Sequence, residues 1–594
     1  MSETGMDRDA PPPTGDENFM SLLGVVLAAL RTTPKRLTLA LLAFALILVI
    51  AATAWGQIRL NAWNQPFYDA LAQKNLTAVL TQLRAYAFIA GGLLILNVSQ
   101  TWLAQMMKLR LREALTCDLI DLWLAPKRAA LLAQSGEIGV NPDQRIHADA
   151  QHLADISADL GVGLVQASLL LASFIGVLWI LSSGVVFDIA GRHIDVPGYM
   201  VWCALIYALI GSLASWWVGR PLMALGAERY ARESDVRFAL VDVSEHSEPI
   251  ALMGGEAREA HRFAHTFAAL VAILRKLAVA TTNLTWVTAG YGWVAIVAPL
   301  IVAAPAYFFG QLSFGGLLMA AGAFTQVQQS LRWFVDNAGV IADWRATLLR
   351  VAVFRRALLS QADFQDSLRA PAAALSHLVR QSGERDSFLL EDVVLALPAR
   401  QTRLNESRIE IGPGARVHIA GEHGCGKTLL FRALAGLWSA GAGRILTPPE
   451  KRIVFMPKRA YIPDLSLREI LSYPAPASNY SDEEIKAALM RFNLGYLAAA
   501  LDREGSWDRE LADPERQALA FARLLLGRPD FVVIDEAIDA LSPETRAIVG
   551  DMFMRELKSS ALIYISGPRA PDPLFARSYR LESVPSPETL AFGA

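Results

Sequence analysis

Six long apolar stretches in the first 345 residues constrain the fold of this chain more than any other feature. A helix needs about 20 apolar residues to cross the hydrocarbon core of a bilayer. The chain has 594 residues, of which 53% are hydrophobic and 19% charged, and the apolar excess lies in this first part. The sequence therefore predicts an α-helical membrane domain with six spans, at 37–57, 85–106, 161–183, 199–218, 286–306 and 313–330.

Basic residues between these spans predict the orientation of the domain. Of the lysine and arginine residues that lie between the spans, most are in the long loops 107–160 and 219–285, and Lys35 and Arg36 precede the first span. Because basic loops stay on the cytoplasmic side, both termini and the two long loops are predicted to be cytoplasmic. Residues 1–20 are acidic and proline-rich without the pattern of a cleaved signal, so we expect a disordered tail.

Six spans with two long cytoplasmic loops are the layout of half a transporter. Six helices can scarcely enclose a pathway alone, so we expect a homodimer with a shared central cavity.

The net charge of −2 gives no reason to expect nucleic acid as a partner. The three cysteines, Cys117, Cys203 and Cys425, are too scattered for a disulfide framework or a zinc site, and we interpret them as buried thiols.

A phosphate-binding motif follows an apolar strand in the last third of the chain. GEHGCGKT, from Gly421 to Thr428, matches G-x-x-x-x-G-K-[ST] between the strand-like ARVHIA and the helical LLFRALAGLW. Successive backbone N–H groups of such a loop surround phosphate oxygens at a helix N-terminus. Lys427 then contacts the β- and γ-phosphates, and the Thr428 hydroxyl binds Mg²⁺. The predicted nucleotide-binding residues are Gly421, Glu422, His423, Gly424, Cys425, Gly426, Lys427, Thr428 and Leu429.

A second motif, the apolar run FVVI followed by Asp535 and Glu536, is typical of a buried strand that ends at a metal site. We predict that Asp535 joins Thr428 in binding Mg²⁺ and that Glu536 is the catalytic residue that polarises the attacking water. Together the two motifs predict ATP and Mg²⁺ as cofactors of an α/β P-loop domain over 386–594, joined by a linker at 346–385 to a membrane domain at 21–345. The alternative is a structural turn with an ordinary pair of carboxylates.

These features together resemble an ABC half-transporter with a fused permease and ATPase. More narrowly, the chain resembles the SbmA/BacA-like group and its ATPase-bearing relatives, which are related to the peroxisomal fatty-acyl ABC transporters. The stretches that carry the resemblance are NAWNQPFYDAL at 61–71, NPDQRI at 141–146, GRPL at 219–222, ESDVRFALV and SEHSEPIALMGGEA within 233–257, and FRALAGLW at 431–438. The resemblance implies an exporter-like fold in the bacterial inner membrane, although several members of the group import peptides or cobalamin.

The segment Leu511–Arg523 departs from the signature that the resemblance implies, which reads close to L-S-x-G-E-Q-Q-R-L-A-F-A-R. In an ABC dimer, the serine hydroxyl and glycine N–H of that signature contact the γ-phosphate bound by the opposite subunit. Ala512 has no hydroxyl, and Pro514 has no N–H. Helix rules predict instead that Asp513 is the N-cap, Pro514 the first helical residue and Glu515 an acid in the first turn. We expect the Asp513 carboxylate to repel the phosphate.

Other positions also depart from the pattern that the resemblance implies. Lys458 replaces a glutamine that senses Mg²⁺, Pro568 replaces a histidine that steadies the γ-phosphate, and Ser542 replaces the aspartate that ends the loop after the carboxylate pair. Since the loss of one preorganised charge-stabilising group typically lowers the rate on the order of 10²–10³-fold, we expect slow hydrolysis. No aromatic residue occurs where adenine would stack; the residues there are Leu395, Leu397 and Pro398.

The sequence therefore predicts an ATP-dependent ABC transporter that imports a peptide or another bulky hydrophilic solute, with cobalamin as a further option. Two alternatives stay open. One is a proton-coupled secondary transporter whose nucleotide-binding domain is regulatory, and the other is the non-catalytic half of a heterodimer. The spacing of residues does not identify the solute.

Overall fold

The structure, a computed structural model, divides into two compact units: Met1–Trp123 with Asn141–Leu359, and Leu124–Val140 with Ser360–Ala594. Pro398, most of the predicted tail and much of the predicted linker lie outside the described residues. The first unit continues to Leu359, past the boundary predicted at residue 345. The described residues are 19–133, 141–183, 186–189, 192–359, 378–383, 385–397, 400–448, 453–568 and 573–585.

Long helices dominate the first part of the chain. A π-helical turn, Arg145–Asp149, directly precedes the helix Ala150–Ser182, and the antiparallel strands β1 (Val186–Ile189) and β2 (Arg192–Asp195) follow that helix. The helices are α1 (Phe19–Thr32), α2 (Arg36–Ala72), α3 (Leu76–Trp123), α4 (Arg128–Leu132), α5 (Pro142–Gln144), α6 (Ala150–Ser182), α7 (Tyr199–Glu245), α8 (Ser247–Met253), α9 (Glu256–Phe308), α10 (Phe314–Asp336) and α11 (Ala338–Leu359).

Among the described residues, five helical stretches are long and apolar enough to cross a membrane: α2, α3, Pro142–Ser182, α7 and α9. They contain 37 to 53 residues each, so they extend well beyond the hydrocarbon core. The predicted sixth span, 313–330, falls in α10, which has 23 residues. That helix is not one of the five, because three glutamines and Arg332 lower its hydropathy. The count of six spans stays a prediction.

The NAWNQPFYDAL stretch, at the end of α2, positions helix α10 against α2. The Asp69 carboxylate accepts hydrogen bonds from the Gly315 N–H at 2.8 Å and from the Ser313 hydroxyl at 2.7 Å. Ser313 also caps α10, since its side-chain oxygen accepts a hydrogen bond from the Gly316 N–H at 3.0 Å. A Cβ on Gly315 would overlap the carbonyl oxygen of Gln65, so only glycine permits this close approach.

The second unit is an α/β domain. Its helices are α12 (Lys427–Ala435), α13 (Leu467–Ser472), α14 (Asp482–Arg491), α15 (Trp507–Glu510), α16 (Asp513–Gly527) and α17 (Pro543–Arg555). Its strands are β3 (Val379–Ser382), β4 (Phe388–Leu397), β5 (Arg400–Leu404), β6 (Arg408–Ile411), β7 (Arg416–Gly421), β8 (Gly441–Thr447), β9 (Ile453–Met456), β10 (Phe531–Asp535), β11 (Ala561–Ser566) and β12 (Arg577–Pro585).

These strands form one sheet in the order β3-β8-β4-β5-β12-β7-β11-β10-β9, with β6 paired to β4. The run from β12 to β9 is parallel, whereas β4 pairs antiparallel with its neighbours β5, β6 and β8. Apolar residues cover both faces: Phe531 and Val533 of β10 pack into one core, and Val532 and Ile534 into the other. All four side chains are fully buried, as is typical of a central parallel strand.

Candidate functional site

The carboxyl ends of neighbouring parallel strands bring the predicted site residues to one edge of the sheet. β7 ends at Gly421, β10 at Asp535 and β11 at Ser566. Lys458 follows the end of β9, which pairs with β10. Ligands of open α/β sheets bind at this edge, so the topology alone brings together side chains that are far apart in the sequence.

The phosphate loop has the backbone conformation that its glycines permit. Gly424 and Gly426 have φ angles of +79° and +101°, in the left-handed region that other residues rarely adopt. A Cβ on Gly426 would lie 2.6 Å from the Thr402 hydroxyl, which itself donates a hydrogen bond to the Cys425 carbonyl at 2.8 Å. Arg400 donates to the Gly424 carbonyl at 3.0 Å. Side chains of strand β5 therefore hold the backbone of the phosphate loop in place.

Glu422, His423, Gly424 and Thr428 are exposed, whereas Cys425 and Leu429 are buried against the core of the domain. Burial also raises the pKa of the Cys425 thiol. The exposed residues lie on the side of the loop from which a nucleotide would approach. The buried ones hold the loop on the sheet, and the predicted binding residues thus fall into two groups.

Lys427 opens α12 and turns back over the loop. Its ammonium group donates to the carbonyl oxygens of Gly421 at 3.1 Å and Glu422 at 2.9 Å, and it lies 3.3 Å from a carboxylate oxygen of Glu536. The residue is only 8% exposed. A buried ammonium with several nearby acceptors is a localised positive charge suited to phosphate oxygens.

Asp535 has the features of a metal ligand. It is 3% exposed, and within the described residues its Oδ1 atom has no hydrogen-bond partner. Burial raises the pKa of this carboxyl, and a hydrogen bond with Thr428 opposes the shift. A buried carboxylate oxygen without a partner, beside a hydroxyl, fits the oxygen ligands that Mg²⁺ prefers. Bound there with a nucleotide, Mg²⁺ would neutralise phosphate charge.

Glu536 lies between two lysines. Its Oε2 is 2.9 Å from the Lys458 ammonium, and its Oε1 is the atom that contacts Lys427. The hydrogen bond from Lys458 is the main reason why the pKa of Glu536 is lowered, and Lys427 adds to the effect. The backbone of Glu536 has a φ of +52°, a strained conformation that occurs at functional sites. Its carboxylate is therefore a weak base held in an ion pair.

The start of α16 differs from the prediction. Ala512 is the N-cap, and Asp513 is the first helical residue, so the expectation that Asp513 caps the helix is wrong. The Glu515 carboxylate reaches back and accepts hydrogen bonds from the Ala512 N–H at 2.9 Å and from the Tyr496 hydroxyl at 2.6 Å. These bonds lower the pKa of Glu515. Asp513 instead pairs with Arg516, which neutralises the charge expected to repel phosphate.

Two other departures from the implied pattern have local structural explanations. Ser542 is the N-cap of α17, where its side chain accepts a hydrogen bond from the Thr545 N–H at 3.2 Å. Pro568 is exposed just after β11. In place of an adenine contact, Leu395 is fully buried in the core and presents no surface for stacking, while Leu397 is partly buried.

Sequence reasoning missed several residues that support the site. The buried Gln517 of α16 donates a hydrogen bond to the Lys458 carbonyl, so the signature helix is tied to the segment that carries Lys458. The Nε2 atom of the buried His418, on β7, lies 2.9 Å from the Ser566 hydroxyl at the end of β11. This contact links the strand before the phosphate loop to the strand before Pro568. Polar residues within apolar strand and helix patterns were the only signal that could have identified Gln517 and His418.

Comparison with protein families gives two matches. A model of the ABC transporter transmembrane region 2 matches residues 27–308, and the ABC transporter model matches residues 404–539. The inner membrane ABC transporter ATP-binding protein YddA of Escherichia coli is 26% identical, over 88% of this chain and 91% of its own length. The chloroplastic ABC transporter D family member 2 of Arabidopsis thaliana is also 26% identical, over 87% and 79% respectively.

A shorter match and a solved structure complete the comparison. The mouse ATP-binding cassette sub-family D member 3 is 34% identical over 29% of this chain and 28% of its own length. The structure of a bacterial Atm1-family ABC exporter with ATP bound has a TM-score of 0.67 at 17% identity, and the match covers 90% of this chain and 92% of the exporter chain. This likeness confirms the predicted fold class, a helical membrane domain followed by a P-loop nucleotide-binding domain.

Proposed function

Because the chain belongs to the ABC transporters, as a half-transporter with fused membrane and ATPase domains related to the subfamily D proteins, we propose that it imports a peptide or another bulky hydrophilic solute, cobalamin included, across the bacterial inner membrane. It is an ATP-hydrolysing, multi-pass membrane transporter. Membership of the SbmA/BacA-like group, the cytoplasmic location of both termini and the direction of transport belong to the proposal.

One observation carries the proposal: the sheet brings Lys427, Asp535 and Glu536 together beside an intact phosphate loop, in a chain whose other unit is built of apolar helices. We assign nucleotide binding to Gly421–Thr428 with Leu429, Mg²⁺ binding to Thr428 and Asp535, and activation of water to Glu536. These groups are the parts that phosphoryl transfer from ATP requires.

We further propose that hydrolysis is slow. Glu536 is held by Lys458, and the positions of Ala512 and Pro514 offer neither the hydroxyl nor the N–H that would contact a γ-phosphate across a dimer. Pro568 supplies no imidazole. Each missing electrostatic contact lowers the rate on the order of 10²–10³-fold at most, so the combination reduces turnover strongly while it leaves nucleotide binding intact.

We propose a homodimer, in which two copies of the membrane unit enclose one pathway. Each ATPase site would then combine the phosphate loop of one subunit with the α16 start of the other. Both composite sites would be equivalent and equally slow. In a heterodimer with a complete partner, one site would regain the signature contacts, and the chain alone would not transport.

The test is uptake of peptides by the purified protein in vesicles loaded with an ATP-regenerating system. We expect ATP-dependent accumulation in the wild type and none with Lys427→Ala, since that change removes the buried ammonium of the phosphate loop. The matched control is Lys451→Ala, the same change at a lysine outside the phosphate-loop motif. Equal uptake by Lys427→Ala and wild-type protein would refute ATP-driven import, and transport by the chain alone would exclude the obligate heterodimer.

A proton-coupled secondary transporter is the second candidate. The Lys458–Glu536 ion pair favours it, because a catalytic carboxylate held by a lysine fits a domain that binds ATP without rapid hydrolysis. In this case, uptake would stop when a protonophore is added and would persist with Glu536→Gln. Uptake that is insensitive to the protonophore would eliminate this candidate.

A further inference from the structure

A cavity of about 530 Å³ lies between α9 and α10 in the membrane unit. Glycine, alanine, proline and aliphatic residues form its α9 wall. The α10 wall, in contrast, is polar and ends in a guanidinium group. Its polar residues are Thr325, Gln328, Gln329 and Arg332.

The other sides of α10 are occupied, so its polar side is fixed toward this cavity. Asn61 of α2 donates a hydrogen bond to a backbone carbonyl of α10 at 3.2 Å, and Gln326 donates to Gln57 of α2 at 3.3 Å. Trp333 packs on α6, where a Cβ on Gly163 would lie 2.6 Å from the indole nitrogen. Polar side chains in spanning segments face a protein interior or a water-filled cavity rather than lipid. Gln329, which is exposed, and Arg332, which is partly exposed, therefore face a space that a hydrophilic solute can enter.

Arg332 has hydrogen-bonding capacity left for a ligand. Its ion pair with Asp336, one turn further along α10, uses the Nε atom at 3.0 Å. Nε is also the atom that donates the hydrogen bond to the Asp336 carboxylate, at 3.2 Å. A planar guanidinium binds a carboxylate through two parallel hydrogen bonds. The contact with Asp336 through Nε orients the guanidinium and leaves its two terminal nitrogens for an incoming oxyanion.

A stacked tyrosine pair forms a rigid base for this group. The rings of Tyr207 and Tyr291 stack with centroids 4.4 Å apart, and the Tyr207 hydroxyl donates to the Tyr291 carbonyl at 2.8 Å. The Arg332 guanidinium lies 5.9 Å from the centroid of the Tyr291 ring. Gln328, only 5% exposed, forms a hydrogen bond with the Tyr291 side chain. The cation and the amide are thus held in position before a ligand binds.

We propose that this cavity binds the carboxylate end of a peptide, with the Arg332 guanidinium on the carboxylate. The exposed amide side chain of Gln329 matches the donors and acceptors of a neighbouring peptide group, while the buried Gln328 holds the Tyr291 ring in place. A volume of about 530 Å³ is in the range of small-ligand sites, which is enough for the last few residues of a peptide but not for a long chain. This inference rests on the peptide transport proposed above, and it names the part of the peptide that is recognised.

The experiment is a competition for the full-length protein in lipid nanodiscs. The probe is an equal mixture of a random tetrapeptide library with free carboxyl termini and the same library with amidated termini, and mass spectrometry quantifies what is retained. We expect the wild type to retain free-acid peptides about tenfold or more over amides, as the loss of a charge-assisted hydrogen bond implies. Arg332→Gln should retain both libraries equally, and Arg332→Lys should give an intermediate ratio.

Two controls separate the site from general effects of charge and folding. Arg59→Gln removes another arginine of the membrane unit, one that lies over Trp55 and outside the cavity, and should leave the ratio unchanged. ATP binding by Arg332→Gln should equal that of the wild type, which shows that the ATPase domain of the variant is folded, and an unchanged elution volume in size-exclusion chromatography checks the whole protein.

The possible failures are distinguishable. Retention of both libraries in equal amounts by the wild type would overturn the carboxylate site and leave peptide transport standing. Retention of neither library would count against both proposals. Displacement of the free-acid peptides by inorganic phosphate at lower concentration than by the peptides themselves would reassign Arg332 to a phosphate group and overturn the inference.

Discussion

The start of α12 and the start of α16 are both helix N-termini in the ATPase domain, yet their backbone donors are treated in opposite ways. At the start of α12, Gly426 is the N-cap and the first turn contains no acidic residue, so no side-chain carboxylate competes with a phosphate for the N–H groups of that turn. At the start of α16, Glu515 already binds the Ala512 N–H, and Pro514 has no N–H to offer. The first turn of α12 thus leaves room for an anion, whereas the first turn of α16 contains two acids of its own, Asp513 and Glu515.

This difference teaches that nucleotide binding and nucleotide hydrolysis can be separated within one domain. The phosphate loop and Asp535 need only their own chain to form a binding site. Rapid hydrolysis requires further groups at the γ-phosphate, and these are the groups that Ala512, Pro514 and Lys458 replace. Substitutions in the binding groups and in the groups at the γ-phosphate should therefore change affinity and turnover separately.

The largest effect is expected for Glu536→Gln. The amide keeps the size of the side chain but cannot accept a proton from water, so the ATPase rate of the purified protein in lipid should fall about 10²–10³-fold. ATP affinity should change little, because the phosphate loop is untouched. The matched control is Glu544→Gln, an exposed acid in the first turn of α17. An unchanged rate in Glu536→Gln would show that another group activates the water.

Lys427→Ala should have the next largest effect, this time on binding. The change removes a buried ammonium that contacts two carbonyl oxygens of the loop and would contact phosphates, so ATP affinity should fall about 10²-fold. Isothermal titration calorimetry, with ATP added to the protein in nanodiscs, measures this affinity. Lys458→Ala, which removes the other lysine of the Glu536 pair, should bind ATP nearly as well as the wild type. Equal losses in the two variants would contradict a special role for Lys427.

The two helix starts also differ in how far the sequence predicts them. The phosphate loop is a contiguous pattern, and its Gly424 and Gly426 have positive φ angles that other residues rarely adopt. At the start of α16, the sequence rules predict Asp513 as the N-cap, whereas the N-cap is Ala512 and Asp513 is the first helical residue. The side-chain contact at this helix start comes instead from Glu515, whose carboxylate accepts a hydrogen bond from the Ala512 N–H. A propensity for N-caps ranks residue types and does not show which of two nearby acids reaches the backbone.

Supporting contacts across the chain could not be predicted from spacing. Gln517 reaches a carbonyl 59 residues away, and His418 reaches a hydroxyl 148 residues away. Arg400 and Thr402 contact the loop from a strand 24 and 23 residues before it. These pairs are created by the order of strands in the sheet. Motifs therefore locate the reacting groups, whereas the residues that hold them depend on tertiary structure.

Restoring the start of α16 should increase hydrolysis. The double change Ala512→Ser with Pro514→Gly returns a hydroxyl and an N–H to the exposed helix start, and the ATPase rate of the dimer should rise about tenfold. Asp513 stays in place, because it is exposed and already pairs with Arg516. Pro543→Gly changes a proline in the first turn of another helix, α17, and should not raise the rate. No increase in the double variant would place the defect elsewhere, at Lys458 or Pro568.

The smallest effect is expected for Lys458→Gln, which tests whether the lysine restrains the catalytic carboxylate or assists it. Glutamine removes the 2.9 Å ion pair, and the hydrogen bond from Gln517 to the backbone of residue 458 is unaffected. Without the lysine, the pKa of Glu536 moves back toward its usual range, and the carboxylate becomes a stronger base. The ATPase rate should rise roughly threefold to tenfold, while Arg459→Gln, at the adjacent exposed position, should leave it unchanged. A slower Lys458→Gln enzyme would mean that the ammonium stabilises charge on the phosphates, so that Lys458 would belong with the phosphate loop rather than with the altered groups that oppose it.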